Sequence, residues 1–216
     1  GRRVFLVGPN ASGKSNLLDA VRFIRDVADP QGGFQSAVKM RRGVSQIRSL
    51  HARRFPGVTI EVVVDLDDKL PWTYLLEFSQ DNQRRPLVRR ELVRHGVDEL
   101  LSRPDDEDKA DEDRLTQTHL EQVNANQRFR VIADFFASVR YLHLVPQLVR
   151  QPRPLPGEGE YPFGGDFLDR VAAAPKKTRD ARLKKICRAL RVAVPQLAKL
   201  ELSRDGKGVP HLRGLY

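Results

Sequence analysis

The 216-residue sequence holds one cysteine, one methionine and one tryptophan, and only 7% of it is aromatic. The single Cys187 excludes an intrachain disulfide framework and is compatible with a reducing compartment, so a cytoplasmic protein is expected. No apolar run approaches the roughly 18–20 residues of a membrane span. Arg2-Arg3 followed by Val4-Phe5-Leu6-Val7 imitates the start of a signal peptide, but the apolar run ends after four residues at a glycine loop. The five histidines show no metal-ligand spacing and have no cysteine partners. There is no initiator Met, and the chain opens directly on an expected strand, which reads as a piece of a longer protein. What is present, 40% apolar and 31% charged residues, suits a globular chain with a real core, one domain or one and a half.

The net charge of +10 is unevenly spread. Residues 1–104 carry 18 basic and 12 acidic side chains, and residues 114–216 carry 19 and 9. Between them Asp105–Asp113 holds seven acids and one lysine, which reads as a solvated, self-repelling loop tip. Of the 38 bases 28 are arginine, a choice that suits phosphate contact but that a GC-rich genome also produces.

Val4–Val7 is the short continuous apolar run of a buried parallel strand. A helix is expected from Ser15, with Leu17, Leu18, Val21, Ile24 and Val27 at helical spacing, ended by Pro30 and Gly32-Gly33. With a basic loop and one short helix after it, this makes a first region, 1–57. In the second, 58–104, strands Val58–Leu66, Trp72–Phe78, Leu87–Arg94 and Val97–Leu101 read as an antiparallel meander. The third, 105–149, holds the acidic run, helices Leu115–Asn124 and Gln127–Ser138, and a second buried strand, Val139–Val145. His143 in that strand reads as a core histidine. The fourth, 150–216, starts with a Pro/Gly-rich linker. Helices Phe167–Ala173 and Arg179–Leu190 follow, the latter with Leu183, Ile186, Leu190 and Val194 on one face. A hairpin about Asp205–Gly208 closes the chain. The expected fold class is α/β, a partial core with an inserted antiparallel meander and a helical segment.

Gly8-Pro9-Asn10-Ala11-Ser12-Gly13-Lys14-Ser15 matches the pattern GxxxxGK[ST], between an expected strand and an expected helix. Such a loop wraps phosphates with successive backbone N–H groups, and Gly8 and Gly13 supply conformations that a Cβ would obstruct. Lys14 reaches the β/γ-phosphates as a point charge, and the Ser15 hydroxyl is placed to ligate Mg²⁺. The pattern is that of a P-loop, so the expected α/β core is a partial P-loop core, and it implies binding of a nucleoside triphosphate.

The stretch from Gly8 through Asn16 to Ala20, GPNASGKSNLLDA, resembles the ABC-type ATPases of the SMC, RecF and OLD group. Ala37–Gly43 followed by Ile47 is similar to their basic segment after the first helix. There an arginine before a glycine approaches nucleotide or DNA, which maps to Arg42, with Arg41 the near alternative. The meander fits the β-subdomain these ATPases insert before their second core strand. The glutamine they place at that strand's end, touching Mg²⁺ and the attacking water, maps to Gln147, with Gln117 and Gln122 as runners-up. The run Thr116–Asn126 through Leu148 also resembles bacterial ATPases near OLD and the antiphage PtuA proteins.

The resemblance implies ATP and Mg²⁺ as cofactors and two heads sandwiching the nucleotide in a homo-oligomer. It also implies DNA or a partner nuclease as what hydrolysis gates, and DNA repair or antiphage defence as the setting. It covers only the N-terminal half of the family's head. Thr59–Asp65 looks superficially like a Walker B strand, but Leu66 follows instead of Glu and the strand alternates. No signature motif appears, so the chain by itself is expected to bind ATP and turn it over poorly. A non-hydrolysing, nucleotide-switched interaction module is the alternative. A small-molecule kinase fits less well, since such enzymes carry an Arg-bearing lid and no long meander. The bases of 176–191 read either as a solvated face or as a phosphate-backbone surface.

Overall fold

The structure is a computed structural model and describes residues 3–47, 57–66, 70–143, 145, 147 and 164–216. The chain forms two compact units, Gly1–Arg140 and Tyr141–Tyr216.

The first unit is built on one sheet. Strands β1 (Val58–Val64), β2 (Trp72–Gln80), β3 (Pro86–His95) and β4 (Asp98–Arg103) pair antiparallel in chain order. Each expected meander strand is therefore present. In β2 the alternating Trp72, Tyr74, Leu76 and Phe78 are all buried, which fixes that face inward, since a slip of one residue would turn it to water. Three helices cover this face: α1 (Lys14–Ala28), α2 (Gly33–Met40) and α5 (Arg130–Ser138). Phe23 of α1 stacks on Phe78 at 5.1 Å, Phe34 of α2 meets the same ring edge-on at 5.3 Å, and Phe136 of α5 lies 5.8 Å from Tyr74. Residues 34–47, expected as loop with one short helix, form α2 and α3 (Val44–Ile47), because Phe34, Ala37, Val38 and Val44 bury one apolar side.

Several expectations are corrected. Val4–Val7 forms no strand among the described residues, and Val4, Phe5 and Val7 are 90%, 83% and 89% exposed. A strand exists only through its neighbours' hydrogen bonds, and among the described residues the four-stranded sheet of this unit forms without it. The α1 stripe is likewise half used: Ile24 and Val27 are buried, whereas Leu17, Leu18 and Val21 are exposed. Residues 139–143 and 145 lie in no strand, and His143 is exposed rather than in the core. Leu115–Asn124 makes no α-helix; a 3-10 turn over Glu112–Thr116 leads into successive turns.

The acidic run is not a loop tip either. Asp106–Ala110 is helix α4, closed by a capping box in which Asp105 accepts from the Asp108 N–H and Asp108 from the Asp105 N–H. Asp108 is fully buried.

The second unit contains α6 (Phe167–Ala173), α7 (Lys176–Leu190) and a hairpin of β5 (Lys199–Arg204) and β6 (Pro210–Leu215). Its small core is Leu168, Leu183, Cys187 and Leu197. Leu183 and Cys187, four residues apart, are the α7 positions that reach it, while Ile186 and Leu190 of the expected stripe are exposed. The linker 150–163 lies outside the described residues. Among the described residues no helix is long and apolar enough to cross a membrane.

Candidate functional site

The loop Gly8–Ser15 leads directly into α1, whose first turn carries no acidic residue and whose N-cap, Gly13, makes no side-chain cap. The first N–H groups of α1 thus keep their donor capacity, and the positive end of the helix faces away from any competing carboxylate of its own. Gly13 has φ +88° with nothing within 4 Å of an added Cβ. Its glycine answers a backbone requirement, not crowding. At Gly8 a Cβ would sit 3.0 Å from Ser12 Oγ, so there the constraint is close approach. Ala11 takes φ 63°, a left-handed conformation that a non-glycine residue adopts at a cost of about 1–2 kcal/mol. Pro9, Asn10, Ala11 and Ser12 are all exposed, as are Ser15 and Asn16. Ser12 N–H closes the turn onto Pro9 O at 3.4 Å.

Lys14 folds back over this loop. Its ammonium donates to Gly8 O at 2.8 Å, to Pro9 O, and to Ser12 Oγ at 3.3 Å. All three acceptors are neutral, and no carboxylate pairs with Lys14 among the described residues. A full positive charge therefore stands at the mouth of a loop of backbone donors. That arrangement attracts a polyanion, and among the described residues only neutral acceptors compete for the ammonium. Ser15, the residue after Lys14, has a hydroxyl free to bind a hard cation held by such an anion; its oxygen chemistry fits Mg²⁺.

The other expected residues are placed as follows. Arg42 is exposed, has φ 63°, and closes the end of α2 through its N–H to Lys39 O at 2.9 Å. Its neighbour Arg41, the near alternative, is a structural residue. It grips both oxygens of Asp19 at 2.8 and 2.9 Å and Asp26 at 2.9 Å, and lies over the Phe23 ring at 5.1 Å. These carboxylates raise its pKa against the opposing effect of burial. Gln147 is exposed and belongs to the second unit. Gln117 and Gln122 are bonded to each other at 3.2 Å. Asp65 follows β1, whose Val64 pairs antiparallel with Trp72, so it ends a meander strand and not a parallel one. Among the described residues no group of three or more His, Cys, Asp or Glu side chains could hold a metal.

Sequence patterns missed one constellation, the buried cluster around Arg103. Its guanidinium donates to Glu91 Oε2 at 3.1 Å, to Asp108 at 2.7 and 2.8 Å, and to the carbonyls of Gln117 and Arg114 at 3.0 and 3.1 Å. Glu91 also accepts from Tyr74 OH and from the N–H groups of His119 and Leu120. Burial pushes the Glu91 carboxyl up against these donors. Burial acts the same way on Asp108, but there the Arg103 fork wins and holds the carboxyl far below the usual range. The only legible signal was a base at the edge of an acidic run. The cluster is sealed and ties the acidic segment to the sheet.

The model of the family described as "AAA domain, putative AbiEii toxin, Type IV TA system" matches residues 3–159, which include the loop, Lys14 and the whole antiparallel sheet. The chain belongs to that family. It is a P-loop NTPase-type AAA domain with mixed helices and an antiparallel sheet, and its loop points to nucleotide binding. Such AAA domains generally take their nucleotide with Mg²⁺. The match places this AAA domain among P-loop NTPases without assigning it to the SMC, RecF or OLD group. Searches of curated proteins and of solved structures find no match.

Proposed function

We propose that the chain binds ATP-Mg²⁺ through Gly8–Ser15 as the N-terminal half of an SMC/RecF/OLD-like ATPase head. In this reading the head dimerises on ATP and gates the action of DNA or a partner nuclease in repair or antiphage defence. The observation that carries it is the Lys14 ammonium, held over the loop by neutral acceptors beside an uncapped α1. The phosphates take the loop N–H groups of Asn10 to Lys14. Lys14 turns from the loop carbonyls to the β/γ-phosphates, Ser15 ligates Mg²⁺, and Asn16 lies next to it in the first turn. Arg42, exposed and without a side-chain partner among the described residues, is the contact for nucleotide or DNA. The exposed Val4–Val7 run and the exposed Leu17, Leu18 and Val21 support the half-head reading, because a P-loop strand is normally covered on both faces.

The alternative, a nucleotide-switched module that does not hydrolyse, is favoured by the place of Asp65 after an antiparallel strand, where it serves no parallel core sheet. Calorimetric titration with ATP and Mg²⁺ tests the main reading. Binding is expected in the wild type and a loss of at least about 100-fold in Lys14→Ala, which removes the loop's own charge. At 100 times Kd, ATP adds about 2.7 kcal/mol of stability, seen as a rise in Tm. Equal affinity of wild type and Lys14→Ala sinks the assignment. Turnover without any nucleotide-dependent self-association removes the dimer.

A further inference from the structure

We propose that the second unit docks an acidic, extended segment of a partner protein in the groove between α7 and the free edge of β5, where the segment adds a third strand to the hairpin. The groove has a volume of 660 Å³ and is lined by five consecutive residues, Ala198–Leu202, together with one side of α7. Side chains of a strand alternate between its faces, so five residues in a row can border one groove only along the strand's edge. No residue of β6 lines it. The groove is thus the edge that β6 leaves open in this two-stranded sheet.

Ladder geometry says which groups wait there. Asp205 N–H donates to Val209 O at 3.0 Å, and Pro210, opposite Arg204, has no N–H to give. Hydrogen-bonded pairs alternate along an antiparallel ladder, which turns the N–H and C=O of Leu200 and Leu202 away from β6 and into the groove. Edges of this kind are templates for another strand.

The facing wall selects the charge of that strand. Lys176, Lys184 and Arg188 line the groove with no carboxylate partner among the described residues. The two acids on the groove are spoken for: Asp180 lies 3.8 Å from Arg179, and Glu201 pairs with Lys199. Arg191 is committed differently, donating to Leu197 O and Ala198 O, and thereby closes the end where β5 begins. From Lys176 to Arg188 the helix rises about 18 Å, and the lined stretch of β5 spans about 13 Å, so the basic wall runs the length of the edge. Between them Leu183 and Cys187 form an apolar floor. Bases on one wall, backbone donors and acceptors on the other and an apolar floor match an extended peptide of alternating acidic and apolar residues. Nucleic acid matches less well. Among the described residues no aromatic side chain lines the groove to stack a single strand, and a duplex would meet the outer bases while leaving the β5 edge unpaired.

The test uses the full chain and a fluorescein-labelled octapeptide of alternating Glu and Val, followed by anisotropy. Binding is expected, with amide exchange at Leu200 and Leu202 slowed in the complex. N-methylation of alternate peptide amides, which removes ladder donors and leaves every charge, should weaken binding at least about tenfold. Lys184→Glu with Arg188→Glu, both on the exposed flank of α7, should do the same with an unchanged circular dichroism spectrum. Three outcomes overturn the proposal: no binding, equal affinity of the N-methylated peptide, or displacement of the peptide by an equal concentration of a 20-base-pair duplex. Nucleotide binding at Gly8–Ser15 is read separately, so either proposal can fail alone.

Discussion

Replacing Arg103 by Met keeps most of the side chain's length and removes a guanidinium that makes five hydrogen bonds. Arg103, Glu91 and Asp108 are all 0% exposed at their side chains, so water does not replace what is lost. Deleting one partner of a buried ion pair costs about 3–5 kcal/mol, because the opposite charge stays behind. Here the lower end is expected, since Glu91 keeps three donors in Tyr74, His119 and Leu120. With a urea slope of about 2 kcal/mol per molar, a loss of about 3 kcal/mol moves the midpoint down by about 1.5 M. Trp72, the sole tryptophan, is buried against His95 at 4.2 Å and reports the unfolding of this unit by fluorescence.

The pH dependence adds a sign. Glu91 already has a raised folded-state pKa, and losing Arg103 raises it further. A group whose folded pKa exceeds its unfolded value stabilises below the unfolded pKa and loses that contribution as pH rises through the folded one. The deficit of Arg103→Met should therefore shrink from pH 8 toward pH 5, and adding Glu91→Gln should recover part of it at pH 8. A deficit under about 1 kcal/mol, or one that does not change with pH, would refute the reasoning.

Three further outcomes are expected. Asp108 has the opposite sign: its depressed pKa gives stability that is fully present above the unfolded value of about 3.9 and fades as pH falls toward the much lower folded value, so the gap in urea midpoint between wild type and Asp108→Asn should begin to narrow below about pH 4 and still be open at pH 3. Glu121 accepts the N–H groups of Phe34 at 2.9 Å and Thr118 at 2.7 Å, so Glu121→Ala should cost about 1–3 kcal/mol and speed hydrogen exchange at Phe34. Gly13→Ala meets open space but an adverse φ, so it should cost about 1 kcal/mol in thermal unfolding.

Local chemistry was legible before any coordinates. The meander strands announced themselves by alternation, the hairpin by Asp205–Gly208, and the phosphate loop by Gly8, Gly13, Lys14 and Ser15, because each depends on residues close in the chain. Helix α1 was found for the same reason, yet its pattern did not say which half is covered. Leu17 and Ile24 read alike in sequence, and only the position of the sheet under the C-terminal turns separates them. Val4–Val7 carries a strand's pattern without a partner strand among the described residues, since pairing is a property of neighbours and not of the run itself.

The same distinction governs charge. Sequence put Arg42 first with Arg41 as its near alternative, and read Asp108 as one acid of a solvated tip. Tertiary structure gave Arg41 to Asp19 and Asp26, left Arg42 exposed, and sealed Asp108 against Arg103. Composition alone thus determined that the chain is basic and poor in cysteine, and local residue order that it carries a phosphate loop. Which charges are spent inside, which apolar faces are covered and which strand edge stays open were decided by long-range packing, whose contacts join residues that no local pattern links.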